Sequence, residues 1–277
     1  MNAIEASRAG RATVIVDWRP QGVRDMLAFT SSFIGLMEDG CSVLKYPYYP
    51  NDRESMNALQ EEAYRYRYLG RHENLVTFKD MSDDGLVLEY CEKGALCDVV
   101  GDLNEGQKIA IGEQVARGLV YLHSRNYIHG DLNTQNVFVT SDWTAKIGDL
   151  QGQLNDSDGN VKIPATAENN ARSRLPGPGP DDDLSTQMDI FAFGTLLYHV
   201  WYGHPPYPEL DAVRDEVEIE GKYSRGEFPV DMHAGGVEKI IWRCWNSTYT
   251  SATEILEDIS SLGHPEPQGS VSNAARA

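Results

Sequence analysis

The hydrophobic period of this chain changes once, near Gly94, and that change restricts the architectures open to it. Before it, apolar residues come in runs of strand length: Phe33 to Met37, Val43 to Tyr46, Leu75 to Phe78 and Leu86 to Leu88. Glu38-Asp39-Gly40 reads as the turn between the first two runs. One helical stretch interrupts the pattern, Glu54 to Leu69, with Leu59, Glu62, Tyr66 and Leu69 three and four positions apart on a single face. After Gly94 the texture is helical. Gln107 to His123 sets Ile109, Ile111, Val115, Leu119 and Leu122 along one side, and about Gln187 to Tyr202 is apolar nearly all round, as a helix in the centre of a lobe would be. Strands followed by helices, rather than alternating with them, predict an α+β fold of two lobes: a small β-rich N-lobe with one helix, a larger helical C-lobe, and a cleft between them.

The 277 residues suit such a pair of lobes. We read 1–20 as a lead-in segment, 21–90 as the N-lobe, 91–265 as the C-lobe and 266–277 as a flexible tail, the last stretch being rich in Gly, Pro, Ser and Ala. No separate targeting or docking domain is expected. With 24 Lys and Arg against 42 Asp and Glu, the net charge is -18, which argues against nucleic-acid binding and against a membrane-surface role. The apolar run Ile190 to Tyr202, broken by His199, is too short to span a bilayer, which needs about 20 residues. Thr13 to Val16 is too short for a signal-peptide core. Four cysteines without a C-x-x-C pair point to a reduced, intracellular location, the cytoplasm first and the nucleus second.

Chemistry concentrates in Tyr127-Ile128-His129-Gly130-Asp131-Leu132-Asn133-Thr134-Gln135-Asn136-Val137-Phe138-Val139. A carboxylate and an amide five positions apart on one loop can face a single site, Asp131 accepting a proton and Asn136 ligating a divalent metal. Eighteen positions after Asp131 comes Lys146-Ile147-Gly148-Asp149-Leu150-Gln151-Gly152, a second carboxylate at a strand end. Asp131, Asn136 and Asp149 form an oxygen-rich set suited to Mg²⁺, which takes few carboxylates and leaves room for water and phosphate. Gln151 to Asp183 is long and dense in Gly, Pro, Asn and Asp, a length of loop that is usually functional or disordered.

H-x-D-L-x-x-x-N followed at this distance by an Asp-led motif resembles the protein kinase fold, in degenerate form similar to kinase-like sequences of filamentous fungi. The resemblance runs in order from about Met26 to Leu262. It implies that Lys45, in Val43-Leu44-Lys45-Tyr46, braces nucleotide phosphates and that Glu62, with Glu61 as the competing candidate, pairs with that lysine on a regulatory helix. His72-Glu73-Asn74-Leu75-Val76 resembles the family's H-P-N-I-V turn. Leu86 to Cys91 looks like the hinge, with backbone groups of Glu89 and Cys91 meeting adenine and Val43 and Phe138 enclosing the ring. Asp189 in Met188 to Gly194 is expected to hold the catalytic loop, and Gly203 to Tyr207 and Arg243-Cys244-Trp245 match further landmarks. Tyr66, Phe78, His129 and Leu150 would form the apolar column joining the lobes.

The departures are specific. The expected glycine-rich turn is Ala28-Phe29-Thr30-Ser31-Ser32-Phe33-Ile34-Gly35, in which Thr30, Ser31 and Ser32 hydroxyls stand where bare backbone would meet phosphate. Asn133 replaces a lysine, a loss resembling that of one preorganised donor, roughly 3 kcal/mol or about a hundredfold in rate. Gly130 replaces the arginine that reads an activation-segment phosphate, and the glycine of Asp149-Leu150-Gln151-Gly152 lies one place late. Leu175-Pro176-Gly177 stands for A-P-E, and the arginine that pairs with that Glu is also gone, so no single buried charge is left behind.

The resemblance implies a monomeric, ATP- and Mg²⁺-dependent protein kinase acting on a protein hydroxyl, serine or threonine before tyrosine, with basic partners favoured by the acidic surface. Two other readings stand beside it: a pseudokinase scaffold, and a small-molecule phosphotransferase suggested by H-G-D in place of H-R-D.

Overall fold

The computed structural model describes residues 3–8, 11–16, 18–177, 179, 184–231, 233 and 235–263. The stretch read as a lead-in contains a hairpin of β1 (Ala3–Arg8) and β2 (Arg11–Val16), paired from Ala3 opposite Val16 to Arg8 opposite Arg11. The tail 266–277 lies outside the described residues.

The N-lobe is an antiparallel sheet of five strands with one helix. Its strands are β3 (Val23–Phe29), β4 (Phe33–Met37), β5 (Ser42–Tyr46), then, after helix α1 (Arg53–Leu69), β6 (Phe78–Met81) and β7 (Leu86–Glu89). The spatial order is β3-β4-β5-β7-β6. β3 escaped the sequence reading because it is an edge strand with only Val23 and Met26 half-buried, so no apolar alternation marks it. α1 starts at Asp52, whose carboxylate accepts from the amides of Glu54 and Ser55, and ends at Gly70. Its inward stripe is Leu59, Glu62, Ala63, Arg65, Tyr66 and Leu69.

The expected strand at Leu75 to Phe78 is corrected. Only Phe78 belongs to the sheet, while Asn74, Leu75 and Val76 turn toward the C-lobe. There the Val76 amide donates to the Ile147 carbonyl at 2.9 Å, the Ile147 amide to the Asn74 carbonyl at 2.9 Å, and the Asn74 side chain to the Ala145 carbonyl at 3.1 Å. The apolar run is an inter-lobe joint, and periodicity cannot tell such a joint from a strand.

The C-lobe begins with β8 (Gly94–Ala95), the short helix α2 (Leu96–Val99) and α3 (Glu105–Ser124), the last opened by a reciprocal Asn104–Gln107 capping box. β9 (Tyr127–Ile128), β10 (Val137–Val139), β11 (Ala145–Ile147), β12 (Gln153–Asn155) and β13 (Val161–Ile163) follow, forming two small sheets, β11-β10-β8 and β13-β12-β9. α4 (Thr186–Tyr202), α5 (Glu216–Ser224), α6 (Gly236–Trp245) and α7 (Ala252–Gly263) complete the lobe. Ile190, Phe191, Phe193, Leu196, Leu197 and Val200 of α4 are all fully buried, each worth about 1.5–3 kcal/mol of burial. That central helix is what the loop after β9 hangs from, through Asp189 and the amides of His129 and Gly130.

Candidate active site

Lys45 is the penultimate residue of β5, and its side chain runs to Glu62 on α1. Its Nζ lies 2.8 Å from Glu62 Oε2 and 2.5 Å from Asp149 Oδ1, so strand, helix and C-lobe loop meet at one ammonium. Lys45 is 5% exposed and Glu62 1%. Glu61, one residue earlier, points outward and reaches Arg65 at 3.8 Å instead. Burial opposes the Lys45 charge, but the carboxylates of Glu62 and Asp149 outweigh it and its pKa is raised. For Glu62 burial wins over the attraction of Lys45 and its pKa is also raised. Burial opposes the Asp149 charge too, yet Lys45 holds its pKa below the usual value.

The loop from His129 to Asn136 is built on Asp189. From inside α4 its carboxylate accepts from the amides of His129 at 2.8 Å and Gly130 at 2.9 Å, and from His123 Nε2 at 3.0 Å. His129 donates through Nε2 to the Gly148 carbonyl at 3.0 Å and accepts through Nδ1 from the Asp131 amide at 3.3 Å, which ties the loop to the Asp149 strand end. Gly130 has φ +73°, and a Cβ there would lie 2.5 Å from Leu184 Cδ1, so the customary arginine would carry a strained backbone and require the Leu184 side chain to move.

Asp131 is clamped by two amides. Asn133 Nδ2 donates to its Oδ1 at 2.8 Å and Asn136 Nδ2 to its Oδ2 at 2.9 Å. Asn133, read from sequence only as a lost cation, thus orients the carboxylate. Burial pushes Asp131 up to about 6, against the lowering influence of His129 and these amides. Because Asn136 spends its nitrogen on Asp131, its Oδ1 is the atom left to face outward. Asp149 receives both Lys45 and Gln151 Nε2, the latter at 2.9 Å, on Oδ1, which leaves Oδ2.

At the hinge, the Glu89 amide donates to the Thr77 carbonyl at 2.9 Å and the Cys91 carbonyl accepts from Gly94 at 3.0 Å. The Glu89 carboxylate is engaged by Lys146 at 3.2 Å. Cys91 is buried and its thiol is pushed up to about 12 by that burial, so it is inert at neutral pH. Val43 and Phe138 are half-buried in β5 and β10. The turn over the cleft is the β3–β4 hairpin: Thr30 and Ser31 are exposed at its tip, Ser32 is buried at its base, and the Thr30 amide donates to the Ser32 carbonyl at 2.9 Å. Tyr48 donates to the Thr30 carbonyl, and its ring meets Phe33 edge-on at 4.8 Å. Of the apolar column, Tyr66 stacks on Phe78 at 6.4 Å, and His129 and Leu150 are fully buried.

The late glycine of Asp149-Leu150-Gln151-Gly152 has a steric cause. A Cβ at Gly152 would lie 2.1 Å from the Ile128 carbonyl oxygen and 2.4 Å from that of His129, where the segment passes β9. Gly152→Ala is therefore expected to destabilise the domain by at least about 1–3 kcal/mol, read as a lower urea midpoint. In place of the missing A-P-E pair, Arg174 binds Glu216 and Glu220 of α5, and the Arg172 carbonyl accepts from Thr195 at 2.7 Å and Tyr223 at 3.0 Å. Sequence reasoning missed Arg65 and Gln151 as partners in the site. A charge three residues after Glu62, on the same inward stripe, was the available signal for the former.

Fold and site together are those of a two-lobed kinase domain. The sequence profile described as protein tyrosine and serine/threonine kinase matches residues 41–259, and the chain belongs to that family. It is 32% identical to serine/threonine-protein kinase STE20 of Eremothecium gossypii over 145 residues, 50% of this chain and 15% of that protein. It is 30% identical to mitogen-activated protein kinase kinase kinase 13-A of Xenopus laevis over 152 residues, 51% and 15% of the two chains. It is 26% identical to megakaryocyte-associated tyrosine-protein kinase of Rattus norvegicus over 187 residues, 64% and 38%. The chain thus spans well under half the length of these relatives. Among the described residues no helix is long and apolar enough to cross a membrane.

Proposed function

We propose that this domain transfers the γ-phosphoryl group of ATP to a protein hydroxyl, serine or threonine before tyrosine. The observation that carries the reading is the Lys45 ammonium bonded at once to Glu62 and Asp149, with Asp131 and Asn136 bonded to each other on the adjoining loop. Lys45 braces the nucleotide phosphates, Glu62 positions Lys45, and Asp131 orients the substrate hydroxyl and accepts its proton. The Glu89 carbonyl and the Cys91 amide face the adenine edge, Val43 and Phe138 enclose the ring, and Thr30, Ser31 and Ser32 line the turn above the phosphates.

The donor set fits Mg²⁺. Asn136 Oδ1 and Asp149 Oδ2 are hard oxygens left by the internal hydrogen bonds, and among the described residues no group of three or more His, Cys, Asp or Glu forms a self-sufficient metal cage. Two protein ligands plus phosphate oxygens and water are what Mg²⁺ takes. When bound, it supplies charge neutralisation to the triphosphate. The four cysteines are all free thiols, in keeping with work in the reduced cell interior, where a monomer would meet basic protein substrates.

A scaffold without turnover is the second reading. It is favoured by the Tyr48 hydrogen bond that ties down the Thr30 turn where the family keeps flexible glycines. Nucleotide titration with and without Mg²⁺, followed by transfer to a basic protein, separates the two. The wild type is expected to bind ATP at least tenfold more tightly with Mg²⁺ and to transfer label, and Asp149→Asn to lose the metal-dependent gain. Metal-dependent binding with no transfer would leave the scaffold, and binding indifferent to both Mg²⁺ and Asp149→Asn would overturn the site.

A further inference from the structure

Among the described residues Arg65 is the largest fully buried side chain, 1% exposed, and it lies on α1 three residues after Glu62. Its Nε donates to the Gly152 carbonyl at 2.9 Å and its Nη2 to the Pro164 carbonyl at 2.8 Å. Among the described residues its one carboxylate neighbour by ion-pair distance, Glu61, is exposed and 3.8 Å away, so the carbonyls are its main partners. Those carbonyls flank the β12–β13 hairpin, Gly152 just before β12 and Pro164 just after β13. A planar fork is suited to this, because one guanidinium can satisfy two separated acceptors in fixed geometry. A second contact follows the same seam: Lys162 of β13 lies over the rings of Tyr64 and Tyr68 of α1, at 5.6 and 5.7 Å.

The hairpin is also the start of the segment that leads away from Asp149. Where a kinase segment is ordered by phosphorylation, new arginine–phosphate pairs hold it. Here the loop position beside Asp131 is Gly130, at positive φ, and offers no such arginine.

We propose that Arg65 is a positioning residue that latches the β12–β13 hairpin to α1 and so keeps Glu62 on Lys45 without any phosphate on the segment. The idea rests on the proposed role of Lys45 and Glu62 in nucleotide binding. The mechanical link itself does not. Removing the guanidinium takes the donor from the buried Gly152 carbonyl, unties the exposed Pro164 on the far side of the hairpin, and releases α1 on the side facing it. Glu62 is one turn away on the same stripe, so slack in α1 reaches Lys45 directly.

Hydrogen exchange followed by mass spectrometry on the full chain, its mass confirming that it is unmodified and with no nucleotide present, tests the latch. Wild-type α1 is expected to be protected. In Arg65→Met, peptides over 53–69 and 151–164 should exchange at least tenfold faster while those over α4, 186–202, are unchanged. Arg65→Lys, which keeps the charge but reaches a single carbonyl, should fall between and decides the matter if the methionine variant does not fold. Binding of a fluorescent ADP analogue supplies the second readout: Arg65→Lys should weaken it three- to tenfold, and add nothing in a Glu62→Gln background. Unprotected α1 in the unmodified wild type, unchanged α1 exchange in Arg65→Lys, a rise shared equally by α4, or additive effects with Glu62→Gln would each overturn the proposal. A wild type that binds no nucleotide would sink the functional reading, while the exchange data would still decide the latch.

Discussion

Asp131→Asn is expected to lower phosphoryl transfer by about 10²–10⁴-fold, the range that a positioned general base contributes, while nucleotide affinity stays within a few-fold of the wild type. The two amides that clamp the carboxylate, from Asn133 and Asn136, would still meet an oxygen at one position, so the loop keeps its shape. The same substitution carries a stability signature. Burial raises the Asp131 pKa to about 6, from the 3.8 of the unstrained carboxyl. The folded protein therefore holds this proton more tightly than the unfolded chain does. Stability from that proton is fully present below pH 4 and is lost as pH rises through 6. The asparagine variant has no such loss. In metal- and nucleotide-free protein it should match the wild type near pH 4 and exceed it at pH 7–8, by on the order of 1–3 kcal/mol. Urea titrations at the two pH values measure the difference. Full transfer activity in Asp131→Asn would remove Asp131 from the chemistry, and equal stability at both pH values would contradict its buried environment.

Lys45→Met should be costly in both activity and stability. Glu62 is 1% exposed and its Oε1 already lacks a hydrogen-bond partner among the described residues, so Lys45 is its main compensation. Losing that ammonium leaves a buried, unpaired carboxyl, which costs about 3–5 kcal/mol when one partner of a buried pair is removed. The accompanying loss of nucleotide affinity should exceed tenfold. Replacing both members, Lys45→Met with Glu62→Met, is expected to restore most of the stability, because two apolar side chains of similar volume need no partner, but none of the nucleotide affinity. Denaturation and nucleotide titration of the single and double variants separate the two effects. If Lys45→Met were as stable as the wild type, Glu62 would have another source of compensation.

Much of this was legible along the chain. The α1, α3 and α4 helices follow their apolar stripes to within two residues, because each buries one stripe or its whole surface and so prints a 3.6 period in the sequence. β4, β5 and β7 were legible for the same reason, as strands in the middle of the sheet. β3 was not, since its exposed edge position needs no apolar residues, and Leu75-Val76 was misread because a joint between lobes and a strand both bury a short apolar run.

The residue types of the site, and their order, were determined by the sequence: a lysine in a strand, a glutamate on a helix, and Asp131, Asn136 and Asp149 on two loops at fixed spacing. Chemistry of that kind depends on side-chain identity, which one dimension records. The tertiary structure decided which atoms meet. Glu61 and Glu62 are adjacent in the chain but about 100° apart around the helix axis, and only the packing of α1 under β5 turns Glu62 toward Lys45. Asn133 became an orienting amide only when its nitrogen was seen on Asp131. Arg65 reaches carbonyls 87 and 99 positions away. The acceptors are backbone atoms that every residue carries, so nothing in the sequence at Gly152 or Pro164 could have announced the contact.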